Sequence, residues 1–380
     1  MRARTLACLA VIVIALGASC RANAEPLRPT EDSWPVFRGD SGLTGVSPVR
    51  LPGELFLRWT FKTAAPIRSS PVIGGGRVFF GSSDGSVYAL SLATGEKLWE
   101  RAAGSPVEAP PLLDGPALYV GTLDGTFLRL DAASGKQRWK LATKAKIAGS
   151  ANLLRRGSGP AIVLVGSYDG SLYAANAGNG RLLWTYHTNN YINGAPALIG
   201  NLAVFGGCDA LLHVVSVLDG SQAAEIDTGS YIPGSAAAAH GRVYVGNFDD
   251  RLICADLAGS SILWEYRNDR RGGGFFSSPA VGEDAVVIGG RDYRVHCVGV
   301  SDGKLRWTFE AGGEVDSSPV IAGDAVLFGT GDGRLVMLTL RSGRLLWSYE
   351  IGEPVASSPA VASGMVVVGC DDGSLYAFGG

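Results

Sequence analysis

The stretch Ser83 to Trp99 reads SDGSVYALSLATGEKLW, and variants of that phrase return along the whole chain. Aligned on its hairpin turn, the phrase places aspartates at Asp84, Asp124, Asp169, Asp209, Asp249, Asp292, Asp332 and Asp372, with spacings of 40, 45, 40, 40, 43, 40 and 40 residues. A period near 40 lies in the range of propeller blades, and such a unit must bury its faces against its neighbours. Each unit holds four short apolar runs broken by Gly and Asp. In the first copy they are IRSSPVI, RVFFG, SVYALSL and KLWER. Their Val, Phe, Tyr and Leu content suits strands, and none of the runs is long enough to require a helix.

Tryptophan follows most of the aspartates fifteen residues later, at Trp99, Trp139, Trp184, Trp264, Trp307 and Trp347. The fourth copy has Ala224 at this place, and the eighth stops at Gly380 before reaching it. The missing piece lies upstream. Trp59 stands 12 residues before Pro71, as Trp99 stands before Pro111 and Trp347 before Pro359. Residues Glu54 to Lys62 therefore read as the fourth strand of the last blade. The prediction is an all-β fold, an eight-bladed β-propeller of four-stranded antiparallel blades over residues 54–380. Its ring is closed by pairing the N-terminal strand with the last blade, which removes two open sheet edges. Trp59, Trp99, Trp139, Trp184, Trp264, Trp307 and Trp347 are expected to dock between blades. Losing one should cost about 3–5 kcal/mol. Blade 4, with Ala224, is the expected weak sector.

Glycine, 54 of 380 residues, is about twice the usual ~7% and has no collagen period, in keeping with many turns. A net charge of -2, without a lysine or arginine run, gives no footprint for nucleic acid or an anionic membrane. Residues 1–24 read as a secretory signal peptide: Arg2 and Arg4, an apolar run from Leu6 to Gly17, and Ala22-Asn23-Ala24 before the cleavage point. A lipid anchor on Cys20 is the alternative, although Gly17 stands where an aliphatic residue is usual. The expected location is thus periplasmic or secreted, with no membrane span in the mature chain and a monomeric propeller. Residues 25–53 form a leader segment. Cys208, Cys254, Cys297 and Cys370 contain no C-x-x-C pair and read as buried free thiols.

The recurring SSPV…G…VFFGSSDGSVYALSLATGEKLW phrase, with its Ala-x-x-x-x-Gly-x-x-x-Trp ending, resembles the PQQ-like (pyrroloquinoline quinone-like) repeat family. So does the leader SWPVFRGDSGLTGVSP, with Trp34, Gly39 and Ser47-Pro48. Similar repeats build the propellers of quinoprotein dehydrogenases and the propeller lipoprotein of the outer-membrane barrel-assembly machinery. The resemblance implies the fold but does not transmit a cofactor. A quinoprotein enzyme of this family would carry a vicinal cysteine pair near the quinone and a metal-linked aspartate in a longer chain. This sequence has no Cys-Cys and no haem motif C-x-x-C-H.

The eight aspartates invite a metal or catalytic reading, but Asp-Gly is a hairpin-turn signature and recurs with the blade. The paired serines before Pro71, Pro279, Pro319 and Pro359 recur too, without a recurring histidine, and read as small inner-strand residues. His187, His213, His240 and His296 show no metal-ligand spacing. No catalytic residue and no metal site are predicted. Function is sought where the repeats stop agreeing. Three residues before the Pro71 register the copies read Arg68, Glu108, Ala148, Asn193, Pro233, Phe276, Asp316 and Ala356. With Asn190, Tyr191, Tyr231 and Arg271 from the adjoining loops, Arg68, Glu108, Asn193, Phe276 and Asp316 are the expected ligand-binding residues at the funnel mouth. The alternative is that they are solvated loop residues. The leading expectation is a non-enzymatic exported module holding an envelope protein or small polar ligand, with no cofactor. Its rival is a PQQ-binding oxidoreductase, with calcium, using the same funnel.

Overall fold

A computed structural model describes residues 26–157, 159–270 and 272–380. The expected signal peptide (residues 1–24), with Cys20, and Arg271 lie outside the described residues. Among the described residues every regular element is a strand, the strands form eight sheets whose four blade strands run antiparallel, and no helix is long and apolar enough to cross a membrane. In blade 1 the order from axis to rim is Val72–Gly74, Arg77–Gly81, Ser86–Ser91 and Lys97–Ala102. The second and third strands are buried on both faces, whereas the outer strand is largely exposed. This gradient explains why the middle runs read as continuous apolar stretches while the outer run mixes Lys, Glu and Arg with one tryptophan.

Blade 8 closes as expected. Phe56–Lys62 pairs antiparallel with Ser374–Gly379, so the last sheet takes one strand from the start of the propeller and three from its end.

The tryptophans form a belt between blades. Trp59 Nε1 donates to Leu92 O at 2.9 Å and Trp99 Nε1 to Ala132 O at 3.1 Å. Trp139, Trp184, Trp264 and Trp307 repeat the bond to Ala177, Val217, Val300 and Leu340. Each ring also lies on the glycine of the next blade's outer turn. At Gly95, with φ +71°, an added Cβ would stand 2.7 Å from the Trp59 ring, so that turn needs glycine for contact as well as conformation. Where the tryptophan is missing, the glycine is missing too: opposite Ala224 the turn carries Ser260, with φ 47°.

The leader is more than a preface. Its backbone threads across the axis and bonds to the innermost strand of every blade or to the turn after it. Ser363 N donates to Glu31 O, Trp34 and Ile73 exchange two bonds, and Leu113 N donates to Pro35 O. Ser41 O accepts from Asn152 Nδ2 and Leu198 N, while Gly42 O accepts from Ala238 N and Thr44 O from Val281 N. Val46–Ser47 finally adds a parallel strand beside Val320–Ala322, giving blade 7 a fifth strand. Trp34, Val36 and Leu43 are buried in this crossing. The channel is therefore closed at one end by the chain's own leader.

Candidate functional site: the funnel mouth

Near the axis, the paired serines tie the blades together. Ser69 Oγ accepts from Gly81 N of its own blade and donates to Ala109 O of the next. The second serine of each pair works between blades: Ala195, Ser235, Ser278, Ser318 and Ser358 N–H donate in turn to Ser235, Ser278, Ser318, Ser358 and Ser70 Oγ, at 2.8 to 3.0 Å. Every one of these hydroxyls has a structural partner, which accounts for their recurrence without catalysis.

Just outside this belt, each blade-entry loop carries an apolar anchor and then a variable residue. Ile67, Val107, Ile147, Ile192, Ile232, Phe275, Val315 and Val355 are buried. Each packs on a glycine at the end of the second strand of the preceding blade, or one residue short of it at Gly166; at Gly81 an added Cβ would overlap the Val107 side chain. With the anchor fixed, the next residue turns to the axis. Arg68, Glu108, Ala148, Asn193, Pro233, Phe276, Asp316 and Ala356 accordingly line one cavity of about 190 Å³, whose floor is Phe37 of the leader. An adjoining cavity of about 440 Å³ lies among Arg68, Glu314, Asp316, Pro354, Ala356 and Asp371.

Two further circles surround the ring. One is the residue before each hairpin aspartate: Ser83, Leu123, Tyr168, Cys208, Phe248, Arg291, Gly331 and Asp371. Its backbone N–H bonds to the carbonyl of the other circle, at Pro66, Pro106, Lys146, Tyr191, Tyr231, Gly274, Glu314 and Pro354. These bonds repeat eightfold, but the side chains they carry do not. Over blades 3 to 5 the surface is aromatic. Tyr168 stacks on Tyr191 at 5.2 Å beneath Lys146, and Tyr231 stacks on Phe248 at 4.4 Å. Phe248 meets Phe276 edge-on at 6.1 Å. Arg291 then lies 3.5 Å over the Phe276 ring and forks onto Asp316 at 2.9 and 2.7 Å. Across the remaining blades the mouth is charged, with Arg68 forked onto Asp371 at 3.1 Å and Ser83 Oγ donating to Glu108 at 3.2 Å.

The hydrogen bonds that Arg68 and Arg291 donate to Asp371 and Asp316 push their pKa values upward, so both stay charged. Such partly exposed pairs are worth only about 0–1 kcal/mol each, so their chief effect is to fix the guanidinium planes. Burial pushes the Tyr231 and Tyr168 hydroxyls upward, keeping them neutral donors.

The expected site residues are thus distributed unevenly. Arg68, Glu108, Asn193, Phe276 and Asp316 share the cavity wall. Tyr191 and Tyr231 stand beside it in the aromatic arc. Asn190 bonds Cys208 O at 3.2 Å and Asn193 Nδ2 lies 3.0 Å from Cys208 Sγ, so both amides brace their loop. The sequence reading missed Phe37, Tyr168, Phe248, Arg291, Glu314 and Asp371. A usable signal existed: the residue before each hairpin aspartate varies within an otherwise constant phrase.

The hairpin aspartates and two of the histidines are structural partners. Tyr88, Tyr173 and Tyr376 hydroxyls donate to Asp84, Asp169 and Asp372 four residues earlier. In blades 4 and 6 histidine replaces the tyrosine: His213 Nε2 lies 3.0 Å from Asp209 and His296 Nε2 3.2 Å from Asp292. All four described cysteines are free. Burial pushes Cys254 up to about 11 and Cys297 and Cys370 up to about 12.

The family model described as "Outer membrane protein assembly factor BamB" matches residues 56–266 and 261–379. The chain belongs to this family. Among solved structures, BamB from Moraxella catarrhalis is similar over 86% of this chain and 98% of its own, at 17% identity and a TM-score of 0.72. The computationally designed Ika8 protein is similar over 84% and 97%, at 19% identity and 0.73. Quinohemoprotein alcohol dehydrogenase from Comamonas testosteroni is similar over 92% of this chain and 80% of its own, at 15% identity and 0.74. At these identities the structures share the fold. No curated protein matches the sequence.

The dehydrogenase likeness raises the quinone as a ligand for the BamB-family funnel. PQQ is a tricarboxylate and calls for several free cations. In the two adjoining cavities Arg68 is the one base among the described lining residues, already forked onto Asp371, with Glu108, Glu314 and Asp316 around it. That wall would repel the quinone's carboxylates. Its residues do not fit the cofactor, and no redox step is assigned to it.

Proposed function

We propose that the protein is an exported, non-enzymatic binding module that holds a protein partner of the cell envelope against its funnel mouth. In this reading residues 1–24 direct export, 25–53 plug the channel and 54–380 form the propeller. The observation that carries it is the break in symmetry. The apolar anchors repeat in all eight blades and the outer tryptophans in seven, while the mouth divides into an aromatic arc and a charged arc. Membership of the BamB family supports an assembly role in the envelope.

A second feature supports blades 4 to 6 as the working sector. Elsewhere the hairpin aspartate is followed by glycine in the left-handed region, but here the same conformation is held by Ala210, Asp250 and Tyr293, at φ 67°, 58° and 67°. Backbone strain of this kind concentrates at functional sites. Asp250 uses its position, bonding Gly274 N at 2.9 Å and so setting the loop that delivers Phe276.

The test is photocrosslinking in the native envelope, from a crosslinking amino acid placed at Tyr231 and, as control, at Ile199 on the plugged face. A discrete protein adduct from Tyr231 and none from Ile199 is expected. Absence of any protein adduct at the mouth would reject the reading.

A further inference from the structure

The mouth also specifies what kind of segment it can receive, an inference that rests on the binding-module reading. Phe248 and Tyr191 are large and exposed, at 40% and 51%. Phe248 is held flat from both sides, by Tyr231 stacked on one side and Phe276 edge-on at the other. The Phe276 ring is in turn capped by Arg291, whose guanidinium is turned away from solvent anions by Asp316 and, at 3.7 Å, Glu314. An aromatic shelf therefore runs into a carboxylate-rich cavity without a gap. In that cavity Glu314 is half-exposed and shares only the already forked Arg291, while Asp371 and Asp316 each hold one arginine. The wall carries more carboxylate than base, so its complement is a cation.

We propose that the funnel face takes an extended polypeptide segment of its partner, with an aromatic or apolar side chain on the Tyr231, Phe248 and Phe276 shelf. A lysine or arginine of the same segment enters the cavity beside Glu314, Asp316 and Asp371. Aromatic stacking supplies affinity and the carboxylates supply register and salt-dependent association. A segment bearing acidic residues at the second position meets like charge and is excluded.

The probe is a blocked synthetic peptide with one tryptophan and one lysine separated by glycines, in a series of spacer lengths, titrated against the purified protein by calorimetry. One spacer should bind. Replacing its lysine by glutamate, or its tryptophan by alanine, should each weaken binding at least tenfold. In the protein, Phe248→Ala should remove the preference for tryptophan and Glu314→Gln the preference for lysine, with both melting temperatures held because both side chains are exposed. Binding that ignores these changes, or no binding at any spacer, overturns the proposal. If the crosslinking from Tyr231 still captures a protein in that case, the binding module stands and only the basic-aromatic chemistry falls. A free polyamine that binds as tightly as the peptide would also overturn it.

Discussion

Trp34 and Ile73 exchange backbone hydrogen bonds of 2.8 and 2.9 Å, joining the leader to the innermost strand of blade 1. Trp34 is buried and lies on Gly39, whose φ of +87° and close approach leave no room for a side chain. Trp34→Ala should destabilise the protein by about 3–5 kcal/mol, read from denaturant unfolding. A loss under about 1 kcal/mol would mean that the leader merely rests on the ring.

Closure through Phe56–Lys62 gives a second test. Without this strand the last sheet has an open edge and Trp59 no longer bridges to Leu92. Deleting residues 54–62 should replace a single cooperative melt by a broad, early one and raise protease sensitivity at the C-terminus. A variant that keeps its sharp melt would disprove the clasp.

The Ala224 and Ser260 pair permits a gain. Ala224→Trp alone should be neutral or destabilising, since Ser260 occupies the turn on which the ring would rest. Ser260→Gly alone relieves a left-handed conformation costing roughly 1–2 kcal/mol. Together they should stabilise by more than the sum of the single effects, with a coupling of about 0.5–3 kcal/mol in a double-mutant cycle. Strict additivity would show that no interblade socket exists there.

Acid should loosen the blades in a definite window. Burial pushes Asp169 and Asp372 upward, but the hydrogen bonds from Tyr173 and Tyr376 and from neighbouring N–H groups outweigh it, leaving both below the ordinary carboxylate range. A lowered folded pKa means that the stabilisation is complete above the unfolded value near 4 and is lost as pH falls through the folded value. Chemical unfolding should show stability declining from about pH 4 downward, and Tyr173→Phe with Tyr376→Phe should flatten that decline. An unchanged slope in the double variant would assign acid sensitivity elsewhere.

Arg38 offers a prediction of opposite sign. It is buried, donates one bond to Ser318 O at 3.1 Å, and its Nε and Nη2 have no partner among the described residues. Burial lowers its pKa to about 9 against an opposing contribution from Asp40. Replacing a poorly paired buried charge by an apolar side chain of similar size is often neutral or stabilising, by up to about 4 kcal/mol. Arg38→Met should therefore hold or raise the melting temperature. A fall of several degrees would show that the charge is needed to seat the leader.

Much of this molecule is legible in its sequence because its determinants are local and repeated. The fourth strand at Phe56–Lys62 could be found because a strand absent at one end of a periodic chain must be supplied from the other. The ring from Arg68 to Ala356 was legible for the same reason: a fixed register places equivalent residues around one axis. The partners of those residues were not. Arg68 meets Asp371 from 303 residues away, and Phe276 is capped by Arg291 only because two loops of blade 6 converge.

By itself, then, the sequence determined the blade, its number and its closure, since each depends on neighbour contacts that recur about every 40 residues. The tertiary structure alone decided that the leader crosses the axis to bond all eight blades and that the mouth divides into aromatic and charged arcs. Both follow from contacts that occur once, between residues with no shared period, and such contacts leave no rhythm in the chain to be read.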